Sequence, residues 1–149
     1  MNDEAAARVL LVEDNPQDLE LTLRALRRAG LGADVHVARD GVEALDFVLG
    51  PGGGSGAAPA RRLQLILLDL KLPKCDGLEV ISRLKSDPRT RAIPIVVLTS
   101  SREASDVARS YQLGANSYVV KPVEYDRFSN AVAQAGLYWL SVNQPPGLE

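Results

Sequence analysis

The chain has 149 residues, 46% hydrophobic and 24% charged, with a formal net charge of −2. Those values suit one globular domain and disfavour disorder, and the slight acidic balance argues against nucleic acid as the main partner, because phosphate binding shows as a basic patch. A single cysteine, Cys75, and a single histidine, His36, exclude an intramolecular disulfide and leave a structural zinc site without ligands.

The N-terminus, MNDEAAARVLLVEDN, is acidic early and has no apolar h-region, so it does not read as a signal peptide. No apolar run approaches membrane-spanning length. These features and the cysteine usage point to a cytoplasmic protein. Cys75 as a nucleophile is one reading; a small loop residue is the simpler one, since His36 falls in an apolar strand pattern and offers no base.

In chain order, the first strand is Val9-Leu10-Leu11-Val12. A helix follows, with Asn15 as N-cap, Pro16 at its start, Leu19, Leu23 and Leu26 on one face, and Gly30 past its end. The second strand is Val35-His36-Val37-Ala38. Its helix starts at Asp40, with Glu43 at capping-box spacing, and ends at Gly50. Residues 50–62, GPGGGSGAAPARR, read as a flexible loop. A phosphate-cradling loop is the alternative, but the segment lacks a Gly-Lys-Ser/Thr ending and follows no strand.

The third strand is Leu65-Ile66-Leu67-Leu68, and its helix runs from Gly77 to Ser86 with Leu78, Ile81 and Leu84 apolar. The fourth strand is Ile95-Val96-Val97-Leu98, followed by a helix from about Ser101 to Leu113, before Gly114. The fifth is Tyr118-Val119-Val120, with a helix from near Glu124 to about Val142, before Pro145-Pro146. Continuous apolar strands are those buried on both faces, as in parallel sheets. Right-handed helical crossovers then give a doubly wound (βα)₅ α/β fold of flavodoxin-like order, 2-1-3-4-5.

Ligands in such sheets sit at the carboxyl ends of the strands. There the sequence puts Glu13-Asp14, Asp69, Thr99-Ser100 and Lys121-Pro122. Each alone has an ordinary explanation: charge at a helix start, a structural hydroxyl, a turn. Together they bring three carboxylates, a hydroxyl and an ammonium to one edge. Clustered carboxylates repel, and a hard divalent cation relieves that. A carboxylate can attack phosphorus, while metal and lysine neutralise the oxygens of the transferring group.

The chain resembles the receiver domains of two-component response regulators. The matching segments are Leu10-Leu11-Val12-Glu13-Asp14-Asn15, Asp69-Leu70-Lys71-Leu72-Pro73 with Asp76-Gly77, Leu98-Thr99-Ser100, and Gly114 to Pro122, over about residues 7–135. The resemblance implies that Asp69 accepts a phosphoryl group. It implies a Mg²⁺ site at Asp14 and Asp69, with Glu13 acting through water and the Lys71 carbonyl adding an oxygen. Thr99 and Lys121 would contact the phosphoryl group. Thr99 and Tyr118 would form the switch, and a cis peptide would precede Pro122. The chain departs from the family at Glu13, where many receivers have Asp, and in its lengthened glycine-rich segment.

The expected protein is not an enzyme in the usual sense. It would catalyse only its own phosphotransfer, from a sensor histidine kinase, and its own dephosphorylation. Two other classes stay open. A Mg²⁺-dependent phosphatase would need an aspartate where Lys71 stands. An inert interaction module would not need the set Asp14, Asp69, Thr99 and Lys121.

The expected organisation is one receiver domain over residues 1–149, with a short extension at 1–6 and a C-terminal extension at 137–149. No output domain is visible, so the output is expected to be a contact with an unidentified downstream protein. In the last helix Phe128, Val132, Ala135, Trp139 and Val142 recur every three or four residues, while Leu137 and Leu140 lie off that stripe. A helix end apolar nearly all round needs a second burial surface. Leu137, Tyr138, Trp139 and Leu140 are therefore expected to pair two copies of the chain, the alternative being a tail folded on its own sheet. The pattern Leu70-Lys71-Leu72-Pro73-Lys74 with Asp76-Gly77, the long loop and the Tyr138-Trp139 tail with Pro145 resemble the small regulators that work with phytochrome-type kinases.

Overall fold

The computed structural model describes residues 8–50, 63–121 and 124–146. Five parallel strands, β1 (Val9–Val12), β2 (Val35–Ala38), β3 (Leu65–Leu68), β4 (Ile95–Thr99) and β5 (Ser117–Val120), form one sheet in the order β2-β1-β3-β4-β5. The helices are α1 (Pro16–Arg28), α2 (Gly41–Leu49), α3 (Gly77–Ser86), α4 (Ala104–Leu113) and α5 (Tyr125–Leu137), with a short 3₁₀ turn at Gly32–Asp34. This is the expected doubly wound architecture.

The three inner strands, β1, β3 and β4, are buried along their whole length, while β2 and β5 at the edges are half-buried. A strand covered by helices on both faces has no polar face to show, hence the unbroken apolar runs. One face carries a core around Leu10, Ile66, Leu68, Ile81 and Leu84. The other packs Leu11, Leu67, Leu26, Phe128 and Val132. Each such side chain contributes about 1.5–3 kcal/mol by burial.

Helix starts follow their caps. Asn15 accepts from the amides of Gln17 and Asp18, Asp40 from Glu43, and Asp76 from Glu79. Gly114 ends α4 at φ +114°, the left-handed region where glycine carries no Cβ penalty. Lys85 reaches across from α3, its ammonium donating to the carbonyls of Arg91 and Ile93 and to Asn116 Oδ1. That ties together the segments leading into β4 and β5.

Two helix bounds differ from expectation. The helix expected from Ser101 begins at Ala104. Ser101 is buried, its hydroxyl donates to Asp106 and accepts from the Glu103 amide, and its carbonyl accepts from the Tyr118 phenol. Those bonds hold it in the loop. The last helix stops being α-helical at Leu137 and continues as a π-helical turn, Tyr138–Val142, closed by the Asn143 amide on the Tyr138 carbonyl at 2.7 Å. The glycine-rich segment 51–62, the extension 1–6 and the end of the tail at 147–149 lie outside the described residues.

Candidate functional site

Glu13, Asp69 and Lys121 sit one step past the ladders, pinned by backbone bonds that extend the sheet, while Thr99 is the last residue of β4. The Glu13 amide donates to Ala38, the Asp69 amide to Val12, and the Lys121 amide to Thr99. The side chains of Glu13, Asp69 and Lys121 therefore converge from the ends of β1, β3 and β5, with β4 between the last two. Gly77 lets α3 close on this edge: a Cβ there would stand 2.5 Å from the Asp69 carbonyl and 2.6 Å from Leu70 Cα.

Lys121 is the hub. Its ammonium donates to Glu13 Oε1 at 2.7 Å, Asp18 Oδ2 at 2.9 Å and Asp69 Oδ2 at 3.2 Å. Asp18 had no place in the sequence pattern. It lies in the first turn of α1, where an acidic residue reads as helix-dipole charge. Glu13 Oε2 also accepts from the Asn15 amide, and Asp69 Oδ1 from the Lys71 amide at 3.3 Å.

The pocket holds more negative than positive charge. Burial pushes the Glu13 carboxyl up to about 7, against the hydrogen bond from Lys121 and with help from the charge of Asp69. For Lys121, burial pulls down, but its bonds to Glu13 and Asp18 and the charge of Asp69 outweigh it and the net direction is up. Several carboxylates sharing one ammonium thus retain a proton near neutrality. One oxygen each from Glu13, Asp14 and Asp69 lies within 4.8 Å of the others, Glu13 buried and Asp14 exposed. An all-oxygen, anionic set open on one side fits a hard divalent cation.

Thr99 is fully buried, and its hydroxyl accepts from the Ser101 amide at 3.3 Å. Tyr118 is half-buried against the core, its phenol donating to the Ser101 carbonyl at 3.1 Å. The loop after Thr99 thus links the two residues expected to switch. The Lys71 side chain is exposed beside the site. The cis peptide expected before Pro122 falls outside the described residues.

Cys75 is set apart from this chemistry. Burial, then the charges of Glu79 and Asp76, push its thiol up, away from the reactive thiolate. His36 stacks on Phe47, with ring centroids 3.9 Å apart, a packing role.

The tail divides. Trp139 and Leu140 pack against the core, and Arg8 donates to the Leu140 carbonyl at 3.3 Å. Leu137, Tyr138 and Val142 stay 43%, 47% and 69% exposed. Beside them a groove of about 320 Å³ opens between α5 and the strands, lined by Val96, Ser117, Val119, Ala131, Gln134, Ala135, Tyr138 and Trp139. It lies well away from the carboxylates. Among the described residues no helix is long and apolar enough to cross a membrane.

The family model for the response regulator receiver domain matches residues 9–133. Among curated proteins, the probable methanogenesis regulatory protein FilR2 of Methanothrix harundinacea is 42% identical, over 93% of this chain and 87% of its own length. Among solved structures, the phosphorylated cyanobacterial phytochrome response regulator RcpA aligns with a TM-score of 0.83 at 38% identity, covering 93% of this chain and 97% of that one. The Mn²⁺-bound response regulator Rcp1, a Synechocystis protein, aligns with a TM-score of 0.81 at 35% identity, covering 93% and 98%.

Proposed function

The chain belongs to the response regulator receiver family, and from that premise we propose that Asp69 accepts a phosphoryl group from a sensor histidine kinase and that the chain signals through changed protein contacts. The observation that carries this reading is the meeting of Asp69 with Lys121 at 3.2 Å inside the Glu13, Asp14 and Asp69 cluster. An Asp69 carboxylate oxygen would form the new bond to phosphorus as the phosphorus–nitrogen bond of a phosphohistidine breaks, its electron pair leaving with the imidazole. Lys121 would neutralise the transferring oxygens. Thr99 would hydrogen-bond one of them, and Tyr118 would follow through the Ser101 loop. Water would later attack the phosphorus, breaking its bond to the Asp69 oxygen, and so release inorganic phosphate and return the carboxylate.

Asp14 and Asp69 would hold Mg²⁺ through carboxylates, with Glu13 through water and the Lys71 carbonyl completing the protein ligands. A cation there supplies Lewis-acid stabilisation of developing charge on the phosphoryl oxygens. The Mn²⁺-bound form of the similar regulator Rcp1 supports binding of a divalent cation. Incubation with acetyl phosphate and Mg²⁺ is expected to label the chain stoichiometrically, and Asp69→Asn to abolish the label. Steady turnover of phosphate esters would favour the phosphatase, and an unlabelled wild type the inert module.

The likeness to RcpA, a phytochrome response regulator, supports a phytochrome-like kinase as donor. The exposed Leu137, Tyr138 and Val142, beside an apolar groove, support a homodimer through the tail. Trp139 and Leu140 would serve it from beneath, since they already pack on their own core. Sedimentation of Leu137→Asp/Val142→Asp is expected to show a monomer where the wild type is a dimer. A dimer that survives both charges takes the tail out of the interface.

A further inference from the structure

The loop from Leu70 to Asp76 carries Lys71 and is closed at both ends. The Asp69 amide is held by the Val12 carbonyl, and the Leu70 carbonyl accepts from the Gly77 amide at 2.8 Å. Inside the loop the Cys75 amide donates to the Pro73 carbonyl at 2.7 Å. That bond spans a single residue, Lys74, which sits at φ +70°. A three-residue turn with a positive φ at its centre is the rare, strained form of the γ-turn. Among the described residues Lys74 is the only one other than glycine in the left-handed region.

A lysine has no local preference for that conformation. Such a residue persists where its surroundings over-determine it, and here α2 does so. The Gly41 amide also reaches the Pro73 carbonyl, at 3.5 Å, and Lys74 Nζ lies 3.5 Å from Asp40 Oδ2. Gly41 packs directly on the Cys75 peptide: a Cβ there would run into the carbonyl oxygen and stand 2.7 Å from its carbon. Gly41 is not at a positive φ, so the place requires a missing side chain rather than glycine's backbone freedom. The ion pair is the weaker tie, because the Lys74 side chain is 68% exposed.

We propose that Gly41 and Lys74 are positioning residues for the cation site: α2 bears on the Cys75 peptide, holds the strained turn and so fixes where the Lys71 carbonyl lies. The proposal rests on the reading above that this carbonyl is a metal ligand. Only Leu72 and Pro73 separate Lys71 from the turn, so a push on the turn reaches the carbonyl within a closed loop. Mg²⁺ demands near-ideal octahedral geometry, and a displaced ligand weakens its binding.

The test is Mn²⁺ binding to the full chain, followed by water-proton relaxation, with thermal unfolding in EDTA beside it. Gly41→Ala is expected to bind Mn²⁺ about tenfold more weakly, as loss of a group that orients a ligand does, and to unfold at lower temperature. Lys74→Val cannot hold the turn, since a β-branched residue tolerates positive φ poorly, and it is expected to weaken Mn²⁺ binding as well. Lys74→Gly keeps the turn without strain and should bind Mn²⁺ as the wild type does. Lower stability with unchanged Mn²⁺ affinity in Gly41→Ala and Lys74→Val would mean that the contact serves the fold alone. A loss in Lys74→Gly as large as that in Lys74→Val would assign the effect to the ammonium. Either result overturns the inference while leaving phosphoryl acceptance intact. Should Gly41→Ala not fold, the two Lys74 variants decide the matter by themselves. A wild type that binds no Mn²⁺ overturns the cation reading, and the inference with it.

Discussion

Lys121→Met is expected to cost the metal-free protein about 3–5 kcal/mol, the range for removing one partner of a buried ion pair. The Lys121 side chain is only 8% exposed, Glu13 is better covered still, and Asp69 is nearly as well covered. Without the ammonium, the Asp69 charge is left unpaired in a low-dielectric pocket, and Glu13 keeps its proton. Urea unfolding in EDTA measures the loss. A cost under about 1 kcal/mol would mean that solvent already screens the cluster. Added Mg²⁺ should return part of the stability, about 2.7 kcal/mol at a hundredfold excess over its dissociation constant, because it would bind the folded chain alone.

The second large effect is on pH dependence. The Glu13 carboxyl titrates near 7 in the folded chain, against 4.5 ordinarily. A group raised on folding gives its full stability below the unfolded pKa and loses it as pH rises through the folded one. Between those values the folded chain carries the extra proton, so stability falls by about 1.4 kcal/mol per pH unit. In EDTA the wild type should therefore unfold at less urea at pH 7.5 than at pH 5.5. Glu13→Gln should flatten that slope. Mg²⁺ affinity of the wild type should rise over the same window, since binding expels the proton. An unchanged slope in Glu13→Gln would assign the titration to another group.

Much of this was legible in the chain itself. Val9–Val12, Leu65–Leu68 and Ile95–Leu98 are apolar without interruption because helices cover both faces, so the residue ending each run marks the ligand edge. Glu13, Asp69 and Thr99 could be found from that rule alone. Asp18 could not, because its role depends on a lysine 103 residues away reaching back over α1. The π turn was hidden for a different reason. An apolar stretch such as Leu137 to Val142 has the same composition in α or π geometry, and the turn changes which of its members face the core. Trp139 and Leu140 pack inward, and Val142, expected on the inner stripe, points to solvent. Ser101 escaped because its hydroxyl and carbonyl bonds depend on tertiary partners, Asp106 and Tyr118.

Arg8 binds Asp34, Gln64 and the carbonyl of Leu140 with one guanidinium, just before β1 begins. The tail is thereby stapled to the amino-terminal pole of the sheet, while the carboxylates occupy the opposite pole, about 13 Å away along a four-residue strand. Two copies joined through their tails would leave both acidic pockets facing outward, each accessible to its own kinase. News of phosphorylation would then reach the joint only by travelling lengthwise through β4 and β5, so a fluorophore on the tail would report a relayed change rather than a direct touch.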